Sequence, residues 1–303
     1  MLTPWGDFAV RDAHMHFFSP TFFARLAEER GQTVDEIGRA LEWRMPASCA
    51  DLAAVWKKEL DEYGVSRAAL IASVPGDEDS VAEAVELYPD RFWGFFMANP
   101  AAPAGVERAE RALAGGRMQG VCLFPAMHRY SVADPRVRPV FEAAAAHPGS
   151  IVFVHCGVLT VGVRPKLGLA SRFDMRYSNP LDLHAVALEF PGVNFVIPHF
   201  GAGYFRETLM LCDLCPNVYL DTSSSNSWMR YLPASLTLKD VFAKALEVAG
   251  PRRLLFGSDS SWFPRGWHAK IFHAQVQALC AIEISADHAG LILGGNLQRL
   301  LAR

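Results

Sequence analysis

The 303-residue chain has no large excess of either charge: 29 Lys and Arg stand against 32 Asp and Glu, a net −3 with His neutral. It has no basic run or patch either, so the electrostatic footprint that nucleic-acid binding needs is missing. Charges, Pro or Gly interrupt every apolar stretch before it reaches transmembrane length. The opening MLTPWGDFAVRDAH lacks the basic and apolar regions of a secretory signal and runs straight into a strand-like segment. A cytoplasmic protein with no nucleic-acid and no membrane partner is expected. Cysteine is sparse and scattered: Cys49, Cys122, Cys156, Cys212, Cys215 and Cys280 suggest no disulfide framework. Cys212 and Cys215 form a C-x2-C, but no second pair stands at zinc-knuckle spacing. Their apolar surroundings, ETLMLCDLCPNV, read as buried free thiols. Glycine is missing where an open doubly wound sheet would need it, in HMHFFSP after the first strand.

What is present is apolar and regular. Hydrophobic residues make up 51% of the chain and charged ones 20%, the balance of a globular protein with a large core. Short β-rich runs recur at 8–17, 66–74, 91–100, 118–125, 150–157, 193–201, 217–225 and 252–260. Helix-patterned segments such as CADLAAVWKKELDEYG and LKDVFAKALEVAG lie between them. Strands alternating with helices predict βαβ units and a parallel sheet. Strands that are apolar throughout predict a sheet covered on both faces. The expected fold is an α/β class (β/α)8 TIM-type barrel, a single domain over 1–303. Its long connections are 18–48 after strand one, 158–180 after strand five and 224–238 after strand seven. All three follow C-terminal strand ends, where barrels of this kind build active sites.

The polar residues collect at those same ends. In RDAHMHFFSP, alternation predicts that Asp12, His14 and His16 share one strand face. His155 ends strand five, His199 ends strand six and Asp259 ends strand eight. Imidazoles with a carboxylate suit a borderline divalent cation, zinc first, with manganese, iron or cobalt as alternatives. Asp12 is expected either to accept a hydrogen bond that orients a metal-binding imidazole or to cap the barrel floor. Arg164, Lys166, Arg172 and Arg265 are candidate substrate-binding cations, because a carboxylate wants a fork of donors. Trp262 and Trp267 are candidate pocket walls. His128 falls in a loop beyond strand four, and His147, His184, His268, His273 and His288 fall in helical stretches.

DAHMHFFSP (12–20), VHCG (154–157), PHFG (198–201), GSDS (257–260) and ILGGNLQRLL (292–301) together resemble the metal-dependent amidohydrolase superfamily, in its amidohydrolase-2 branch. The resemblance implies His14, His16 and His155 as metal ligands. It implies Asp259 as a ligand that also moves a proton of the activated water. His199 would bind a second ion in two-metal relatives and act as acid, base or electrostatic stabiliser in one-metal relatives. Neither MQGVCLFP nor FWGFFMANP offers the Lys or Glu that bridges two ions, so one divalent ion is expected. The branch contains hydrolases and non-oxidative decarboxylases. Hydrolysis of an amide, lactone or related ester of a small molecule is the first expectation. Decarboxylation of an unsaturated or aromatic acid is the alternative, and a non-catalytic metal-binding barrel the third. The decarboxylase relatives favour Pro after the strand-five histidine, where this chain has Cys156 and Gly157. A homo-oligomer is possible through FFSPTFFARL (17–26).

Overall fold

The computed structural model describes residues 1–171, 173–224, 226–261 and 265–302. After a short N-terminal hairpin, eight strands follow: β1 (Arg11–Phe17), β2 (Arg67–Ala72), β3 (Phe92–Ala98), β4 (Met118–Leu123), β5 (Ile151–Val154), β6 (Asn194–Ile197), β7 (Val218–Asp221) and β8 (Leu254–Leu255). They pair in parallel in chain order. β1 meets β8 through a bridge between Met15 and Ser260. Backbone bonds also cross that seam, from Ala13 N to Phe256 O at 2.8 Å and from His16 N to Ser260 O at 2.7 Å. The nearly closed TIM barrel expected from the strand–helix alternation is therefore present.

Both faces of the sheet are buried, as the continuous apolar strands require. Ala13, Ile71, Trp93, Phe95 and Phe153 fill the barrel interior. Met15, Phe17, Leu70 and Val121 face outward among helix residues such as Trp56 and Phe242. The pairing of β1 with β2 shifts between Asp12 and Met15, which breaks the alternation expected along β1. A bulge of this kind re-aims the side chains on either side of it. Asp12 is consequently directed away from the imidazoles and receives the Trp267 Nε1–H at 2.8 Å. Cys212 and Cys215 are buried and free. Among the described residues, no helix is long and apolar enough to cross a membrane.

Two of the long connections cover the C-terminal mouth. The one after β1 carries α1 (Pro20–Arg30) and α2 (Val34–Leu41) and leads into α3 (Cys49–Tyr63). Ser19 caps α1 by accepting from Phe22 N at 3.1 Å, and Thr33 with Glu36 forms a capping box on α2. Phe22, Phe23, Leu26, Ile37 and Leu41 from these helices pack with Val163 and Leu167 of the post-β5 connection. Burying each such phenylalanine contributes roughly 1.5–3 kcal/mol, enough to hold the two connections together over the barrel mouth.

Candidate metal centre

His14 and His16 enter the barrel mouth from β1, with their Nε2 atoms 3.2 Å apart. Their outer nitrogens decide what lies between them. His14 Nδ1 is 2.6 Å from Asp221 Oδ2, and a carboxylate only accepts, so Nδ1 carries the proton and Nε2 the lone pair. His16 Nδ1 is 2.9 Å from Ser73 Oγ, whose hydrogen goes to the Ile71 carbonyl at 2.9 Å. His16 therefore also donates from Nδ1 and keeps its Nε2 lone pair. Asp259 Oδ1 lies 3.7 Å from the first Nε2 and 3.4 Å from the second. Three acceptors converge with no hydrogen among them, an arrangement that repels itself unless a cation enters. The ligand atoms of His14, His16 and Asp259 lie within 4.8 Å of one another, and this residue set fits a divalent ion.

The backbone that aims these groups is unusual. His199 and Asp259, on the turns after β6 and β8, both sit at φ 56°. The left-handed region costs a non-glycine residue about 1–3 kcal/mol and clusters at functional sites. Gly257 shows how tightly the seam is packed: a Cβ there would lie 2.4 Å from Asp221 Oδ1 and 2.9 Å from His14 Cβ. Gly157, beside His155, combines φ 76° with a Cβ position 2.2 Å from the Gly201 carbonyl oxygen. Glycine at that departure from the decarboxylase pattern thus serves a close backbone approach.

Electrostatics separate the roles. Burial alone would raise the Asp259 carboxyl, but the His16, His14 and His199 imidazoles hold it well below the usual carboxylate range. Burial works against charge on His14 too, yet the Asp221 carboxylate outweighs it and raises that imidazole. Burial lowers His16 and His199. His155 is pushed down further, by burial and by the neighbouring His199 and His14 rings. Neutral imidazoles are the form that binds metal.

His155 lines the same pocket as the cluster of His14, His16 and Asp259. Its ring stacks on Phe124 at 5.4 Å and meets His199 edge-on at 5.3 Å. Among the described residues, its buried Nδ1 has no hydrogen-bond partner to orient it. Asp12 orients no imidazole: beyond the bulge it accepts from His14 N at 2.9 Å, Ser258 N at 3.0 Å and Trp267 Nε1, tying β1 to the turn after β8. Trp267 is buried by the same contact and does not wall the pocket. Arg164 does not line the metal pocket; it lines a neighbouring cavity, where its guanidinium pairs with Glu29 at 2.8 and 2.5 Å. Lys166 instead places Nζ 5.5 Å over the Trp43 ring. Arg265 does line the pocket, its Nη2 2.7 Å from Ser261 Oγ and 3.2 Å from the Asp259 carbonyl. Arg172 and Trp262 lie outside the described residues. His128 ends a short helix (Pro125–His128) and stacks toward Tyr130.

Two residues escaped the sequence reading. Asp221 ends β7 in VYLDTSSS, and Ser223 Oγ lies 2.9 Å from both Asp221 Oδ2 and His199 Nδ1. A carboxylate directly after an apolar strand, at the same rim position as His199 and Asp259, was the available signal. Histidine, serine and carboxylate thus join in a chain from His199 through Ser223 and Asp221 to His14.

A parallel eight-stranded barrel with a three-acceptor cation site at its C-terminal mouth defines the class of protein. The amidohydrolase family model matches residues 12–303, and the chain belongs to that family. Among curated proteins, fluG of Emericella nidulans is 31% identical over 87 residues, which is 29% of this chain and only 10% of that protein. Among solved structures, the manganese-bound 5-carboxyvanillate decarboxylase of Novosphingobium aromaticivorans superposes with a TM-score of 0.64 at 15% identity, over 98% of this chain and 97% of that one. A probable 2-pyrone-4,6-dicarboxylic acid hydrolase of Acinetobacter baumannii, with citric acid bound, gives 0.61 at 15% identity, over 97% and 100%. At these identities the structural likeness speaks for the fold alone. The family and these neighbours are enzymes, hydrolases and decarboxylases both.

Proposed function

We propose that the chain is a metal-dependent hydrolase of a small organic acid derivative, opening an amide, lactone or related ester. The observation that carries this is the convergence of the His14 and His16 lone pairs on the Asp259 carboxylate, inside a pocket of about 280 Å³ that Arg265 also lines. A divalent ion, zinc first, supplies a water of lowered pKa and polarises a carbonyl when bound. His14, His16 and Asp259 would hold it, with His155 on the adjoining wall. Asp259, whose Oδ1 faces the His14 and His16 imidazoles at 3.7 and 3.4 Å, accepts a proton at its carboxylate and returns it to the leaving group. The Ser223 hydroxyl suits either tautomer of His199: donating to Asp221 Oδ2 it accepts from Nδ1–H, and donating to an unprotonated Nδ1 it favours the tautomer that carries its proton on Nε2. As a donor, His199 Nε2 steadies negative charge developing on the substrate. Arg265 is the only Lys or Arg among the described residues lining this pocket, and it suits a substrate carboxylate.

The same arginine favours a second reading, non-oxidative decarboxylation, in which a carboxylate leaves as CO2 and a proton takes its place. Metal content by plasma mass spectrometry tests the shared part. About one zinc or manganese per chain is expected, lost in His14→Ala and reduced in His155→Ala. No metal above background after reconstitution would overturn both readings. Assays of the loaded protein on lactones, amides and aromatic acids then separate them. Incorporation of oxygen from labelled water marks hydrolysis, and released CO2 marks the alternative.

A further inference from the structure

Beside the metal pocket lies a larger chamber of about 840 Å³, between the segment that follows α2 and the first turns of α3. We infer that this chamber receives an apolar arm of the substrate, so that the chain acts on acyl compounds or acids carrying an aryl or medium-length alkyl group. The inference rests on the metal pocket being the reaction site. At about 280 Å³, that pocket alone falls just under the roughly 300–1,000 Å³ of sites that enclose a drug-sized ligand, whereas the chamber falls inside that range.

The two spaces adjoin. Phe18, Trp43 and Ser261 line both, and the Phe18 ring lies 5.9 Å from the His16 ring. A molecule with its carbonyl beside His16 therefore meets Phe18 next and the chamber beyond it. The walls are apolar and fixed before anything binds. Phe18 stacks on Phe22 at 3.9 Å and 8°, Phe23 stands edge-on to Trp43 at 6.3 Å, and Lys166 caps the Trp43 ring. Rigid aromatic walls add contact area at little entropic cost. Val55 on α3, with 45% of its surface exposed, faces this space as one of the few large hydrophobic residues left to water. Glu42, Arg44 and Asp51 also line the chamber and give it a polar margin. This shared aromatic wall is what assigns the chamber to the substrate rather than to a separate partner.

Straight-chain hydroxamic acids test this without knowledge of the substrate, because the hydroxamate binds a metal and the tail probes the chamber. Calorimetric titration of the metal-loaded protein with tails of two to eight carbons should show affinity rising about threefold to fourfold per methylene. Ala54→Trp and Ala47→Trp, both exposed positions lining the chamber, should flatten that rise while leaving acetohydroxamate affinity and metal content unchanged. A wild-type series that is flat, with acetohydroxamate still bound, overturns the chamber assignment and leaves the metal reading intact. A rise that persists in both tryptophan variants places the tail elsewhere and overturns it equally. A flat series together with a dimer that Ala54→Trp dissociates, seen by light scattering, would give the chamber to a second copy instead. If acetohydroxamate itself fails to bind, the metal reading falls and takes this inference with it.

Discussion

Two arcs of the barrel mouth contrast sharply. On the arc from β6 through β7 and β8 to β1, His14, His199, Asp221 and Ser223 are tied to one another, and Asp259 is held by the β1 backbone through its N–H to the His14 carbonyl at 3.0 Å. Non-glycine residues on its turns, among them His199, Phe200, Ala202 and Asp259, lie at positive φ. The arc from β2 to β5 offers Met97, Phe124, Met127 and a His155 whose Nδ1 has no partner among the described residues. The first arc holds strained geometry because its hydrogen bonds over-determine it. The second holds His16 through Ser73, supplies an apolar wall, and leaves the pocket-lining His155 to be oriented by whatever binds. The chain thus pre-organises charge on one side and accommodates a ligand on the other.

The comparison breaks most visibly at Asp259. Asn keeps the shape and tolerates the left-handed backbone but removes the charge. Asp259→Asn should lower turnover by about a thousandfold or more and weaken metal binding, with the melting temperature little changed. A variant that keeps its metal and a tenth of its rate would show that the arc does not depend on this carboxylate. Next in size is a test of the other arc. Burial holds the His128 imidazole down to about 4. The unfolded chain, with an ordinary value near 6.5, takes up the proton first as pH falls. His128 therefore contributes stability that is fully present above about 6.5 and lost as pH drops to about 4, at most about 3 kcal/mol. Urea unfolding of metal-free protein across that window should show the slope, and His128→Gln should remove it. Equal slopes in the two proteins would mean that His128 is already solvated. A smaller effect is expected for Asp221→Asn, which keeps an acceptor for His14 Nδ1 but loses the charge. Metal affinity should fall about 10- to 100-fold in a chelator competition. Unchanged affinity would remove Asp221 from the site.

The two arcs were not equally legible in sequence. His14, His16, His199 and Asp259 follow apolar runs and precede small residues, so topology alone brings them to one rim. Asp12 was misread because alternation assumes an unbroken strand, and the bulge between Asp12 and Met15 depends on pairing with β2 that a single strand does not reveal. Arg164 and Lys166 looked like pocket cations because the post-β5 connection is basic; only packing shows Glu29 and Trp43 taking them. Asp221 and Ser223 were passed over because a strand ending in DTSSS also reads as an ordinary polar turn. Their meaning comes from His14, 207 residues away from Asp221.

Ser223 offers the finest division within the pre-organised arc: its hydroxyl lies 2.9 Å from His199 Nδ1 and from Asp221 Oδ2 and 3.0 Å from His14 Nδ1, but the 2.6 Å bond from His14 Nδ1 to Asp221 Oδ2 forms without it. Ser223→Ala keeps the Cβ that packs near Gly257 and removes only the hydroxyl. His14 retains its carboxylate, so metal affinity should stay within about twofold of wild type. His199 loses the partner on Nδ1, and turnover should fall about threefold to tenfold, the range of one hydrogen bond. Chelator competition and steady-state rates on the same preparation separate the two effects. If metal affinity drops as far as in Asp221→Asn, Ser223 belongs to the metal's support and the relay to His199 is incidental. If the rate falls alone, the hydroxyl sets which way His199 faces the substrate, and the pre-organised arc divides into a part that holds the ion and a part that moves the proton.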